Sequence, residues 1–218
     1  MPFFLDILSF LAILTDMRKK DTKISRLREL AQRVGILHAR ELTPLGIPHR
    51  YFGRLCADGF LVKISHGLYM ISGGPETAHL GLVQAAKAIP KSVICLLSAL
   101  HFHEIGTQVP HQIWVAMDRR AARPRMAHLK IQVVRFSGKS LTEGIAEHDI
   151  AGTRVRIYNP AKTVADCFKY RNKIGLDIAI EALREAVRGR KCTVDDLWRY
   201  ANICRVSKVM LPYMEAML

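Results

Sequence analysis

Ile24-Ser-Arg-Leu-Arg-Glu-Leu-Ala-Gln-Arg-Val34 opens the stretch, ending at Ile71, whose reading decides the fold. Ile24, Leu27, Leu30, Ala31 and Val34 recur at i, i+3, i+4 spacing, the period of an amphipathic helix. Gly35 stops that helix, because glycine takes the left-handed conformation needed just past a helix end. A second short helix fits His38 to Leu45, with Gly46 as the turn, and Pro48 pre-sets the first turn of a third helix, Pro48 to Asp58, closed by Gly59. Phe60-Leu-Val-Lys-Ile64 and Leu68-Tyr-Met-Ile71 then read as two strands joined through Ser65-His66-Gly67. Three helices followed by a hairpin make a winged helix-turn-helix, the order of a small DNA-reading module.

The third helix carries the chemistry. Tyr51, Phe52 and Leu55 turn toward the core, which leaves His49, Arg50, Gly53, Arg54 and Ala57 on the opposite face. Arginine grips phosphate or a guanine edge with two parallel donors, and Gly53 lets the backbone come close to a groove. Lys63 and His66 stand in the hairpin, a wing position suited to phosphate or the minor groove. The bland alternative is a set of solvated charges; the glycine-closed helices and basic wing together favour double-stranded DNA.

Composition agrees. Residues 17–74 hold eleven Lys/Arg against four acids, and residues 75–218 hold twenty-two against thirteen, so both parts are basic. The net charge of +14 favours a polyanionic partner without choosing between DNA, RNA and an acidic protein. A length of 218 residues, half of them apolar, allows a packed core in each of two parts. Ser72-Gly-Gly-Pro75 is the best boundary, which gives a winged-helix domain over 17–74 and a second domain over 75–218.

Residues 1–16 stand apart. Pro2 to Leu14 is apolar but too short to span a bilayer, and Arg18-Lys-Lys20 follows it, where a secretory signal carries its charge in front. The segment is expected to be either an upstream extension from a misassigned start codon or a helix docking on an apolar surface. The five cysteines, at 56, 95, 167, 192 and 204, form no Cys-x-x-Cys pair and no Cys/His ligand spacing. Neither a metal nor a cofactor is expected, and Cys56, Cys95 and Cys167, each in an apolar run read as helical, are expected as buried reduced thiols of a cytoplasmic protein.

From Pro75 onward the pattern is mixed. Helices fit Thr77–Ala88 and Val93–His103; strands fit Gln112–Met117, Leu129–Phe136 and Thr153–Tyr158. Asn159-Pro160 opens a helix with Ala161, Val164, Ala165 and Phe168 inward; further helices fit Ile178–Val187, Leu197–Ile203 behind a capping box at Thr193, and Val206–Met217. The overall expectation is an α+β chain, a winged helix-turn-helix followed by a mixed α/β domain.

No catalytic constellation emerges. His101, His103 and Glu104 fall on different helix faces, and Asp166 beside Lys162, Lys169 and Tyr170 reads as a surface ion pair. Ser98 lacks a Gly-x-Ser-x-Gly elbow, and neither a glycine-rich phosphate loop nor a nuclease carboxylate set is present. The chain is expected not to be an enzyme. Arg119, Arg120, Arg123 and Arg125, gathered around Pro124 between two strands, mark a loop that could serve as a working surface.

Leu30-Ala-Gln-Arg-Val-Gly-Ile-Leu-His-Ala-Arg-Glu-Leu-Thr-Pro-Leu-Gly-Ile-Pro-His-Arg-Tyr-Phe-Gly-Arg-Leu55, followed by Gly67-Leu-Tyr69, resembles the N-terminal antitoxin domain of the AbiEi family. Val93-Ile-Cys-Leu-Leu-Ser-Ala-Leu-His101, Gln108-Val-Pro-His111 and Tyr158-Asn-Pro-Ala-Lys-Thr-Val-Ala-Asp166 resemble the second domain of that family. The resemblance runs from about residue 24 onward, while residues 1–16 match nothing in the family. Nuclease-like proteins with the same front half share the Pro-Ala-Lys/Arg-Thr segment; this chain ends without the domain they append, which favours the antitoxin.

The resemblance implies a bacterial type IV toxin–antitoxin system. Its antitoxin binds inverted repeats at its own promoter, represses transcription, and counteracts a nucleotidyltransferase-like toxin directly or indirectly. The alternatives are a nucleic-acid-processing enzyme targeted by a winged helix, and a plain repressor whose second domain oligomerises or senses a ligand.

Overall fold

A computed structural model of the chain describes residues 23–32, 35–42, 46–65, 67–73, 79–122, 129–150 and 153–217. The chain divides into two compact units, Met1–Glu76 and Thr77–Leu218. The apolar segment 1–16 lies outside the described residues.

In the first unit, α1 covers residues 23–32 and buries Ile24, Leu27 and Ala31. Its chain then turns at Gly35, whose φ of +71° is the left-handed conformation expected there and whose N–H returns to the Ala31 carbonyl at 2.8 Å. Next come β1 (Ile36–His38), α2 (Ala39–Leu42), α3 (Arg50–Ala57), β2 (Leu61–Ser65) and β3 (Leu68–Ile71). The strands form one antiparallel sheet in the order β1-β3-β2, with Ile36 opposite Met70 and Leu61 opposite Ile71.

Two details differ from the sequence reading. Strand β1 was not expected: three residues carry too little periodicity to register, and the strand exists because β3 offers it a ladder. It takes His38 out of the second helix, which begins at Ala39 instead. The third helix begins at Arg50, two residues after Pro48, because the Tyr51 N–H still closes a turn onto the Pro48 carbonyl. Leu27, Ala31, Leu37, Ile47, Phe52, Leu55, Leu61 and Tyr69 make the core.

The second unit is built on a five-stranded mixed sheet in the order β6-β5-β4-β8-β7. In chain order it runs α4 (Leu80–Ala88), β4 (Val93–Ile94), α5 (Leu96–Phe102), β5 (Ile113–Asp118), β6 (Ile131–Phe136), α6 (Lys139–Thr142), β7 (Ile145–Ile150) and β8 (Thr153–Tyr158). Five helices close it: α7 (Pro160–Lys169), α8 (Arg171–Ile174), α9 (Leu176–Arg188), α10 (Val194–Cys204) and α11 (Ser207–Glu215). Strands β5 and β6 are parallel, as are β4 and β8, and the other neighbours are antiparallel.

Alternation along the strands serves two layers. Trp114, Ala116, Val134, Phe136 and Tyr158 join the core with α5, α7, α9 and α10. Val115, Val155 and Ile157, the residues in between, are fully buried as well, and α4 packs on β5 and β8. A sheet covered on both faces shows apolar runs rather than clean alternation. That is why Val93–Ile94, a short central strand, reads as the start of a helix: the apolar run continues unbroken into α5.

The Asn159 cap and the Thr193 capping box form as expected, with Asn159 Oδ1 accepting the Lys162 N–H at 2.9 Å and Thr193 Oγ1 accepting the Asp196 N–H at 3.1 Å. Cys95 and Cys167 are buried thiols, although Cys95 stands in extended conformation before α5 rather than in a helix, and Cys56 is only half-buried.

Phe52 is fully buried with its ring centroid 4.6 Å from that of Tyr69. Phe52→Ala should therefore destabilise the first unit by about 3–5 kcal/mol. Val62→Ala, at a position 45% exposed, should stay within about 0.5 kcal/mol of wild type. Urea unfolding followed by circular dichroism measures both; similar costs would mean that the core is wrongly assigned.

Candidate nucleic-acid interface

Helix α3 is amphipathic in the sense that matters for recognition. Tyr51, Phe52 and Leu55 are buried, and Arg50, Gly53, Arg54 and Ala57 are exposed. Arg50 rests its guanidinium 5.4 Å from the ring centre of Tyr51, so its stem is steered while its donors stay in water. His49 caps the helix start without a side-chain cap bond. Its ring leans back over the core instead: Nε2 lies 3.3 Å from the Tyr69 hydroxyl, and the ring centre is 5.8 Å from that of Phe52. The aromatic core thereby sets the orientation of the helix's first exposed residue.

A Cβ built on Gly53 would meet nothing within 4 Å. The unit's own packing thus gives no reason for glycine at a position where alanine would favour the helix by up to about 1 kcal/mol.

The wing is held from inside the unit. Gly67 has φ +70°, and a Cβ there would approach the His38 ring to 3.2 Å, so the turn residue rests on β1. Lys63 is exposed on β2, an edge strand opposite Tyr69, beside an irregularity in register between Lys63 and Ser65. Such an irregularity turns an edge strand away from further pairing. His66 lies outside the described residues. His49, Arg50, Gly53, Arg54 and Lys63 are all placed on α3 or the wing of one small unit.

In the second unit Arg119 and Arg120 are exposed just beyond β5, and Arg123 and Arg125 lie outside the described residues. The chain around Arg119 and Arg120 is fixed. Arg135 donates through Nη1 to the carbonyls of Asp118 at 2.8 Å and Ala121 at 2.7 Å, and Asp118 Oδ1 accepts the Arg120 N–H at 2.8 Å.

Residues 25–72 match the family described as transcriptional regulator, AbiEi antitoxin. Over those residues the winged-helix unit is similar to that family. The match runs from within α1 to just past the end of β3 and so touches every element of the first unit described above. No curated protein matches the chain. The fold is similar to that in the crystal structure of the RV2827C protein from Mycobacterium tuberculosis, with a TM-score of 0.57 at 16% identity over 83% of this chain and 71% of that one. At that identity the likeness concerns the fold alone.

In the second unit, one cluster differs from the sequence reading. Asp166 is not in a surface ion pair; it and Lys162 are fully buried, Nζ to Oδ2 at 2.5 Å. The reason is the position of α7, which packs against α5, α9, α10 and α11, so that every residue from Ala161 to Phe168 is buried. Each polar atom is answered. Cys204 Sγ donates to Asp166 Oδ1 at 3.2 Å, and Lys162 Nζ sits 4.0 Å from the ring centre of Tyr158. Burial raises the Asp166 pKa above the ordinary carboxylate value, with Lys162 pulling the other way. Sealed from solvent, with a donor on each carboxylate oxygen, Asp166 is a structural group. The legible signal was the Lys162/Asp166 spacing of i, i+4 in a helix otherwise free of charge from Pro160 to Phe168.

Lys162→Met and Asp166→Leu should each cost about 3–5 kcal/mol, Asp166→Leu by stranding a buried ammonium, whereas the double Lys162→Met/Asp166→Leu should recover most of that loss. Urea unfolding of the two singles and the double closes the cycle; additive losses would show that the two groups do not depend on each other.

His101 and His103 do part company as their spacing requires. His101 is exposed and faces the His79 ring, whereas His103 donates from Nε2 to the Tyr158 carbonyl at 2.7 Å. Burial depresses the His103 pKa below 6.5, outweighing that hydrogen bond. The unfolded chain then takes up the proton first as pH falls, so stability held above about pH 6.5 is lost on acidification. His103→Gln should flatten the stability profile between about pH 7 and 5; an unchanged slope would assign the loss to other groups.

Proposed function

We propose that the protein is a DNA-binding antitoxin and autorepressor of a bacterial type IV toxin–antitoxin operon, acting in the cytoplasm on inverted repeats in its own promoter. The observation that carries the DNA reading is the exposed face of α3, Arg50, Gly53 and Arg54, beside a basic wing in a unit similar to the AbiEi regulator family. His49, Arg50 and Arg54 offer donors to base edges and phosphates, Gly53 clears the way for close backbone approach, and Lys63 and His66 meet the sugar-phosphate backbone. The counteracted toxin is a nucleotidyltransferase, and the protein itself performs no catalysis. Arg119, Arg120, Arg123 and Arg125 form the antitoxin surface of the second unit, and Arg135 holds the carbonyls of Asp118 and Ala121 on either side of the first two. No helix among the described residues is long and apolar enough to cross a membrane.

Electrophoretic retardation of the promoter fragment tests the interface. Arg50→Ala and Arg54→Ala should each weaken binding by about 1–3 kcal/mol, and Lys63→Ala should weaken all sequences alike and lower the salt slope by about 1. Gly53→Ala separates folding from function: the unit gains up to about 1 kcal/mol of stability while promoter binding falls. A Gly53→Ala protein that binds as well as wild type would rule out close backbone approach, and an Arg50→Ala/Arg54→Ala protein that does so would remove α3 from the interface. In co-expression with the toxin, changing the four loop arginines to Ser should abolish growth rescue and spare promoter binding.

A further inference from the structure

Helices α9 and α11 leave a groove of about 420 Å³ on the second unit, lined by Ile180, Arg184, Val187, Arg188, Tyr213, Ala216 and Met217. The α9 residues fall at i, i+4, i+7 and i+8, so that helix presents a single stripe to it, and opposite stand Tyr213 of α11 and Ala216 and Met217 just past its end. The floor is apolar. Val187 and Met217 also line an adjoining apolar cleft with Leu183, Val194, Leu197 and Met214. Methionines at such a floor adapt to an inserted side chain.

The charge on this groove is one-sided. Arg184 and Arg188 are exposed, and neither pairs with a carboxylate among the described residues. The acids of α9 that could have neutralised them are engaged on another flank: Glu185 Oε2 accepts the Gly106 N–H at 2.6 Å, and Glu181 Oε1 accepts the Thr107 hydroxyl at 2.9 Å. Ile180 to Arg188 spans about 12 Å of helix axis, roughly two turns.

We propose that this groove docks a short amphipathic acidic helix of a partner protein. Its carboxylates, one turn apart, would meet Arg184 and Arg188, and an apolar side chain between them would rest on Val187 and Met217. Two arginines spaced i, i+4 match carboxylates at the same spacing on an antiparallel or parallel neighbour, and arginine offers each a two-pronged bond. The protein's net charge of +14 adds long-range attraction for such a partner. The surface lies wholly within Thr77–Leu218, so this inference does not rest on the DNA reading of the first unit.

The test uses the full chain and two fluorescein-labelled helical peptides with the same leucine face, one carrying glutamates and the other lysines. Fluorescence anisotropy should show binding of the glutamate peptide only, weakening with salt. Arg184→Glu/Arg188→Glu should weaken it by about tenfold or more. Arg184→Ala/Arg188→Ala should give a smaller loss, and circular dichroism and promoter retardation should match wild type for both variants. Equal binding of the two peptides, or glutamate-peptide binding indifferent to both double variants, would overturn the proposal. So would failure of the glutamate peptide alongside saturable, arginine-dependent binding of ATP, which would make the groove a nucleotide site.

Discussion

Helix α7 has no face turned to solvent from Ala161 to Phe168, and two of its side chains carry charge. An isolated charge cannot stay ionised in such a place, so Lys162 and Asp166 exist there only for each other. Much of the second unit is arranged around that pairing. Tyr158 lies under the ammonium while its hydroxyl donates to the Leu141 carbonyl at 2.8 Å, which ties β8 to α6. Asn159 begins α7 and also donates through Nδ2 to the Tyr200 hydroxyl at 2.9 Å, which ties the helix start to α10. Gly144, with φ +78°, passes so close to the Lys162 stem that a Cβ there would lie 2.7 Å from Lys162 Cβ. A larger residue at 144 would both strain the backbone and push the ammonium off its partner. Buried pairs add little net stability compared with apolar substitutes, but a mispaired one is costly, so the interaction favours a single arrangement of the helices around α7.

The first unit reaches its order by a different route, through aromatic stacking and glycine-closed turns rather than buried charge. Phe52, Tyr69 and His49 form one ring cluster that joins α3 to the sheet. Arg28 reinforces the same joint at the other end of α3, 3.8 Å from the Asp58 carboxylate and over the Phe60 ring at 5.3 Å. That ion pair is about half exposed and contributes little by itself. Its use is geometric: α3 is fixed at both ends, so the face carrying Arg50, Gly53 and Arg54 is presented by a rigid element.

Local signals of strong character were readable in the chain. Glycines at 35, 46, 59 and 67 do take positive φ, and the two side-chain caps of the second unit form as their residue types require. The inward face of α3 was equally legible, because Tyr51, Phe52 and Leu55 keep helical spacing. What escaped was set by partners distant in sequence. Strand β1 depends on β3, and β7 carries Glu147 and His148 where a half-buried strand would show alternating apolar residues. The burial of Asp166 depends on four helices, three of which follow it in the chain, and no local pattern announces a side chain enclosed by elements still to come.

The thiols add a consequence of their own. Cys204 is buried against Asp166, and burial together with that carboxylate pushes its pKa up to about 12. Cys95 and Cys167, fully buried in the same core, are raised as well. A protonated, enclosed thiol is inert toward an alkylating reagent until the helices around it part. The rate at which these three cysteines are labelled therefore clocks the opening of the α7 core, whereas Cys56, half-buried on α3, keeps time for the first unit. The sequence thus carries, in unmodified form, separate chemical reporters for the motions of its two halves.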